Sequence, residues 1–312
     1  MKMGQANLDV FAQTLLELAQ QDRHVLAVTS DSRGSGRLTG YAQVVPAQII
    51  ETGIAEQNVI GIAAGLASAG KKVFAVSPAC FITARALEQI KNDVAYSDHP
   101  VTIVGISAGV SYGALGATHH SLHDYAVLRA IHNITIVAPA DNWETRAAIR
   151  AAYAASRPVY IRLGKAAMPH VHQEGDEFVL GKASMVRQGA DLTFVACGET
   201  VAVALAAAEG LAGEGIESRV LSMHTIKPLD EAAVLAAARE TGAIITVEEH
   251  SAYGGLGEAC AAVLMRNGAR LPFEIVAFPD EHMVYGSQKE LFAHYGISPA
   301  GLASIAHRLL AR

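Results

Sequence analysis

The sequence holds little of what marks a disulfide-stapled, metal-clustered or nucleic-acid-binding protein. It has only three cysteines, Cys80, Cys197 and Cys260, far apart and each in apolar surroundings. An odd, scattered set argues against a disulfide framework or a clustered zinc site, and for a reducing cytoplasm. Charged residues are 17% of the chain, the net charge is −6, and no run of Lys and Arg occurs. Nucleic acid and anionic membrane are therefore poor partners. The longest uncharged stretch, between Val101 and Asp124, is full of Gly, Ser, Thr and His, so it is not a membrane span. Met1-Lys2-Met3-Gly4-Gln5 reads as leading straight into an amphipathic helix, so no secretory leader is expected. Repeats of solenoid period and low-complexity tracts are missing too.

What is present is apolar and regular. Half of the 312 residues are hydrophobic, with Ala and Gly well ahead of aromatics, enough for two ordinary domains with a core each. Short apolar runs at Val25–Ser30, Val73–Val76, Val101–Ile106, Thr135–Ala138 and Val159–Leu163 predict buried strands. Between them Asn7–Gln20, Ala55–Ser68, Phe81–Ser97, His120–Ile131 and Asn142–Ala155 predict helices. Such alternation predicts an α/β fold with a mainly parallel sheet covered on both faces. The pattern breaks from Gly164 to Gly181 and then restarts, with strands expected at Leu192–Cys197, Glu217–Ser222, Ala243–Val247 and Phe273–Ala277. The expected organisation is two doubly wound domains, residues 1–165 and 182–312, joined by a linker over 166–181.

Ligands of open parallel sheets sit beyond the carboxyl ends of strands. There the chain carries Ser30 to Ser35, Ser77 to Phe81, Ser107 to His123 and Arg162 to Lys165. Beside them stands Glu51-Thr52-Gly53-Ile54-Ala55-Glu56-Gln57-Asn58, a glycine turn opening a helix with a carboxylate in its first turn. Gly61 and Gly65 follow on a face that would let another backbone approach. A buried acid needs a partner to share its charge or its proton. A solvated acid at a helix N-terminus is the plainer alternative.

The loop Ser111 to Asp124 is glycine-rich and ends in His119, His120 and His123. His119 and His123 stand four apart and could share a metal, although no third ligand is apparent nearby. They could instead cap a helix, or perform acid–base and hydrogen-bonding work at a ligand site.

Gly53-Ile54-Ala55-Glu56-Gln57-Asn58, then Phe81 followed by Arg85-Ala86-Leu87-Glu88-Gln89-Ile90, then Gly113 to His120, then Pro139-Ala140-Asp141 resemble the C-terminal part of the transketolase family. Ile226-Lys227-Pro228-Leu229-Asp230 and Glu248-Glu249-His250 with Gly254-Gly255-Leu256-Gly257 extend the resemblance over nearly the whole chain. The family depends on thiamine diphosphate and has three domains, of which this chain matches the last two. Its diphosphate and metal motif, Gly-Asp-Gly followed by Asn, is absent; the nearest string, Gly175-Asp176-Glu177, lies in the linker. The resemblance therefore implies the smaller subunit of a split transketolase. Its partner would be an N-terminal subunit that carries the pyrophosphate-binding domain and Mg²⁺ (or Ca²⁺). Two copies of each chain would associate, in the cytoplasm, to act on sugars.

The resemblance also assigns roles. Glu56 matches the glutamate that hydrogen-bonds the aminopyrimidine and favours the imino tautomer that deprotonates the thiazolium. Phe81 is the aromatic expected on the pyrimidine, with Ile82 the alternative because the spacing to Arg85 is off by one. Asp31 falls near the cofactor and Ser35 near a substrate phosphate. His119 matches the histidine that contacts the donor's hydroxyls, and Arg162 an arginine that grips a substrate phosphate. Two positions depart from the family: Leu115 replaces an Asp, and Ser107 a His of the phosphate pocket. Both remove polar contacts, which implies a ketose other than the common pentose phosphates. The rival readings are the β subunit of a 2-oxo acid dehydrogenase, deoxyxylulose-phosphate synthase chemistry and a non-catalytic interaction subunit. Thr118-His119-His120 favours transketolase over the first.

Overall fold

The computed structural model describes residues 1–173 and 175–311. The first half contributes β1 (Met3–Ala6), β2 (Val25–Thr29), β3 (Ile49–Glu51), β4 (Lys72–Pro78), β5 (Val101–Ile106), β6 (Thr135–Val137) and β7 (Val159–Arg162). β8 (Ala167–Pro169) lies in the connecting segment. The second half contributes β9 (Ser184–Arg187), β10 (Leu192–Ala196), β11 (Ser218–Ser222), β12 (Thr225–Lys227), β13 (Ile244–Ser251) and β14 (Phe273–Phe278). One sheet runs β12-β6-β7-β5-β4-β2-β3 and the other β14-β13-β10-β11-β9. Only β12 in the first and β9 in the second run antiparallel to their neighbours. Every residue of β2, β5, β7 and β10 is buried, as strands covered on both faces must be.

The helices bury one stripe each. Helix Glu56–Ser68 buries Val59, Ile60, Ala63, Ala64 and Ala67 against the sheet, at the three-and-four spacing of a single face. Its other face, with Gly61, Ile62 and Gly65, is exposed, and a Cβ added at either glycine would meet nothing within 4 Å. The close approach expected at these glycines is thus not made within the chain.

Four features depart from the sequence expectation. The N-terminus opens as β1, which pairs antiparallel with β8 inside the expected linker. β12 leaves the second half and adds itself to β6 of the first sheet. The helix expected over Phe81–Ser97 is broken into Ala79–Arg85, Leu87–Gln89 and a π-helical Ile90–Tyr96. The helix expected from His120 starts only at Asp124. The two halves also share apolar packing. One cluster joins Val28, Ile60, Ile82 and Tyr125 to Cys197, Leu221, Met223 and Leu256.

Candidate active site

Strands β2, β4 and β5 are neighbours in the first sheet, so their carboxyl ends place three loops side by side. Glu56 enters from the turn after β3. Its side chain is 4% exposed, and Arg85 Nη1 donates to both carboxylate oxygens at 3.0 and 3.1 Å. This is the partner that a buried acid requires. Arg85 stays half exposed, and its guanidinium lies 4.3 Å from the centre of the Phe81 ring. Ile54, Ala55, Glu56, Gln57 and Arg85 line an open recess of about 420 Å³.

From Phe81 the contacts continue without a gap. The His119 ring meets Phe81 edge-on at 5.4 Å and Tyr112 at 5.4 Å. Thr118 Oγ1 lies 2.9 Å from His119 Nδ1, which fixes the ring and leaves Nε2 free to meet a ligand. Lys165 Nζ sits 4.5 Å from the centre of the Tyr112 ring. Glu56, Arg85, Phe81, His119, Tyr112 and Lys165 thus form one strip along the edge of the sheet. The neighbouring histidines are committed elsewhere. His120 Nε2 donates to the Gly113 carbonyl at 2.9 Å, and His123 Nε2 is 3.2 Å from Thr83 Oγ1. Because the helix starts after His123, His119 and His123 do not share a helical face, and the metal reading loses its geometric basis.

Three expected site residues are buried. Ile82 is fully buried in the apolar cluster, whereas Phe81 is partly exposed beside His119; adjacent helical positions point to different faces. Ser107 is also fully buried, at φ 52°, with its side chain next to Tyr112 of the strip. Arg162 is 6% exposed and its donors are spent. Nε donates to Asp124 Oδ2 at 2.8 Å, and Nη2 to the carbonyls of Ser121 and Glu249 at 3.1 and 2.6 Å. Tyr160 donates to the same Asp124 oxygen at 2.8 Å. Arg162 stands as an ion-pair hub between the halves, its donors turned to protein groups. Asp31 (φ 49°) and Ser35 are exposed on the loop after β2, close in sheet order but not in contact with the strip. Leu115 is 56% exposed at the turn before His119.

Sequence similarity extends over both halves. Residues 4–170 match the pyrimidine binding domain of transketolase and residues 181–302 the transketolase C-terminal domain. The chain belongs to the transketolase family. It is 52% identical to one subunit of the apulose-4-phosphate transketolase of Phocaeicola vulgatus over 297 residues, 95% of each chain. It is 39% identical to the 6-deoxy-6-sulfo-D-fructose transketolase subunit SqwH of a Clostridium species, over 97% of this chain and 94% of that one. Among solved structures, one described as a split gene transketolase, inactive beta4 tetramer, superposes with a TM-score of 0.88 at 34% identity and 99% coverage of both chains. The chain spans nearly the whole length of these relatives, which are named as subunits or as a split-gene enzyme, in a family that uses thiamine diphosphate.

For a transketolase the strip is chemically apt. Glu56 keeps lone pairs beyond those taken by Arg85, so it can accept a further hydrogen bond. Phe81 offers a ring face beside an open recess. These residues fit an aminopyrimidine. Sequence reasoning missed what Arg85 does for Glu56, the Tyr112 ring beside His119, and Lys165. The only signal for Lys165 was its place in the loop after β7, where Arg162 drew attention first.

Proposed function

We propose that this transketolase subunit supplies the pyrimidine side of the active site and moves a two-carbon ketol unit from a phosphorylated, less usual ketose to an aldehyde. The observation that carries the reading is the continuous strip from Glu56 through Arg85 and Phe81 to His119. Thiamine diphosphate, when bound, supplies the carbanion chemistry that cleaves the ketose. Glu56 accepts a hydrogen bond from the pyrimidine, Arg85 holds that carboxylate in place, and Phe81 presents its ring, with Asp31 nearby. His119, oriented by Thr118, exchanges hydrogen bonds with the donor's hydroxyls. Lys165 and Ser35 hold the anionic tail in place of Arg162; a lysine does so as a compact charge on a flexible stem. The diphosphate and its Mg²⁺ belong on the partner chain, because the Gly-Asp-Gly motif is missing from this sequence. The exposed Gly61 and Gly65 face is left for a chain contact in an assembly of two partner subunits with two copies of this one.

A less usual donor is supported by Leu115, which offers an alkyl side chain where the family has an Asp. The names of the two relatives point the same way. The test is to co-purify the partner and screen ketose donors with thiamine diphosphate, Mg²⁺ and an aldehyde acceptor. Transfer by the pair, together with weak cofactor binding by the isolated chain in calorimetry, is the expected result. Tight binding by an isolated monomer would overturn the division of the site. The dehydrogenase reading and the non-catalytic one have less support, since Glu56, His119 and the Thr118 contact are all in place.

A further inference from the structure

The strip is built by the first half alone, but the loop that carries His119 is held by the second half at three points. Val110 N donates to Glu249 Oε1 at 2.9 Å. Gly113, at φ 53°, lies under the backbone of Gly286 and Ser287; a Cβ there would stand 3.1 Å from the Gly286 carbonyl oxygen and 3.3 Å from Ser287 Cα. Gly116, at φ 73°, lies under the Tyr285 ring, which leaves no room for a Cβ. Gln288 closes the bracket by donating to Glu249 Oε1 at 2.8 Å. The segment 285–288 is therefore fixed against the turn that precedes His119.

This contact accounts for one edge of Tyr285 and leaves the rest open. Its side chain is 77% exposed, and Leu115, next to Gly116, is 56% exposed. Two large apolar side chains thus stand in solvent on adjoining sides of one glycine, three residues from His119. A tyrosine is well suited to such a post, because it presents a broad rigid face with only two torsions to fix.

We propose that Tyr285 of the second half is a specificity-determining residue, forming with Leu115 an apolar wall beside His119 that selects donor ketoses turning carbon rather than a hydroxyl toward it. The inference rests on the transketolase reading above. A hydroxyl pressed against such a wall loses its water without gaining a partner, which disfavours it by a factor similar to that by which an added carbon is favoured, about 10–10²-fold. The preferred donors are ketoses branched or deoxygenated at the carbon that faces Leu115. The second half then has a part in the reaction beyond packing: it closes the site on the side away from the cofactor.

The experiment uses the complex reconstituted with the partner subunit, thiamine diphosphate and Mg²⁺. kcat/KM is measured for xylulose 5-phosphate and for the best branched or deoxy ketose, in wild type, Tyr285→Ala and Tyr285→Phe. Tyr285→Ala should narrow the preference between the two donors roughly tenfold, mainly through KM, while Tyr285→Phe keeps it. Calorimetry with xylitol 5-phosphate, which has no carbonyl and cannot react, should show tighter binding to Tyr285→Ala than to wild type. Equal effects on both donors, or none, would overturn the proposal, as would loss of the complex on size-exclusion chromatography, which would make Tyr285 a contact of the partner chain. If wild type transfers from no ketose at all, the transketolase reading itself fails, whatever the Tyr285 variants do.

Discussion

Two of the arginine–carboxylate pairs in this chain are ones that the sequence alone does not tell apart. Glu56 and Arg85 meet at 3.0 Å with the arginine half exposed beside an open recess. Asp124 and Arg162 meet at 2.8 Å with 0% and 6% of their side chains exposed, under Tyr125 and Tyr160 and against the second half. The first pair has a vacant side and spare lone pairs, so it can do chemistry. The second has every strong donor engaged, so it can only hold. What separates them is the cover, which for Arg162 arrives from Glu249 and its neighbours, far along the chain.

The sharpest way to break this contrast is at Glu56. Glu56→Ala should lower turnover of the reconstituted complex by roughly 10²–10⁴-fold with the fold intact. Cofactor C2–H exchange followed by NMR should fall with it, and wild-type exchange in the variant would remove Glu56 from proton transfer. Arg162→Met should do the reverse and strike stability. It leaves Asp124 buried with the Tyr160 hydroxyl but no arginine beside it, at a cost of about 3–5 kcal/mol. Arg85→Met strips a buried carboxylate of its partner too, but Glu56 borders an open recess that water can enter, so a smaller loss than for Arg162→Met is expected. Urea unfolding of both variants measures the difference, and equal losses would erase the distinction drawn between the pairs.

Two smaller effects sharpen the comparison. Lys165→Ala should raise KM for a phosphorylated donor about tenfold, as befits one charge-assisted hydrogen bond, and leave KM for an unphosphorylated ketose unchanged. Arg162 variants, by contrast, should not discriminate between the two. The sealed cluster should also register in the pH dependence of stability. Burial pushes Glu248 from 4.5 up to about 7, against the pull of the Gly257 and Leu256 N–H groups that bond it. A carboxyl whose folded pKa is raised contributes stability that is full below its unfolded value and is lost as pH rises through the folded one. Between about pH 4.5 and 7 the wild type should therefore lose stability relative to Glu248→Gln, as read from urea midpoints at about pH 5 and 8. A difference that stays flat with pH would mean that Glu248 is already ionised in the fold.

Most of the fold was legible because β2, β4, β5, β7 and β10 are short, mostly apolar runs between amphipathic helices. β3, β8 and β12 have three residues each and exist only because distant partners pair with them, so they leave no local trace. The break near Ala86 escaped for a similar reason, since nothing in the residues 81–97 forbids a continuous helix. Glu56, Phe81 and His119, which the structure brings together in one strip, stood out by their motifs. That Phe81 faces the strip while Ile82 is buried needed the direction of a helix face, and the burial of Arg162 needed the position of the second half. Lys165 became visible only when Tyr112 was seen beneath it.

The pairing of β12 with β6, together with that of β1 with β8, has a mechanical consequence. The halves are not beads on a string whose relative attitude the connecting segment decides. They are clasped: the second half lends an edge strand to the first sheet, and the connecting segment is itself pinned to the N-terminus. The clasp at β12 sits apart from the chain that crosses between the halves. A protease nick at Gly175 would therefore sever the tether and leave the hinge shut, so that a pull on the second half is felt at the edge of the first sheet.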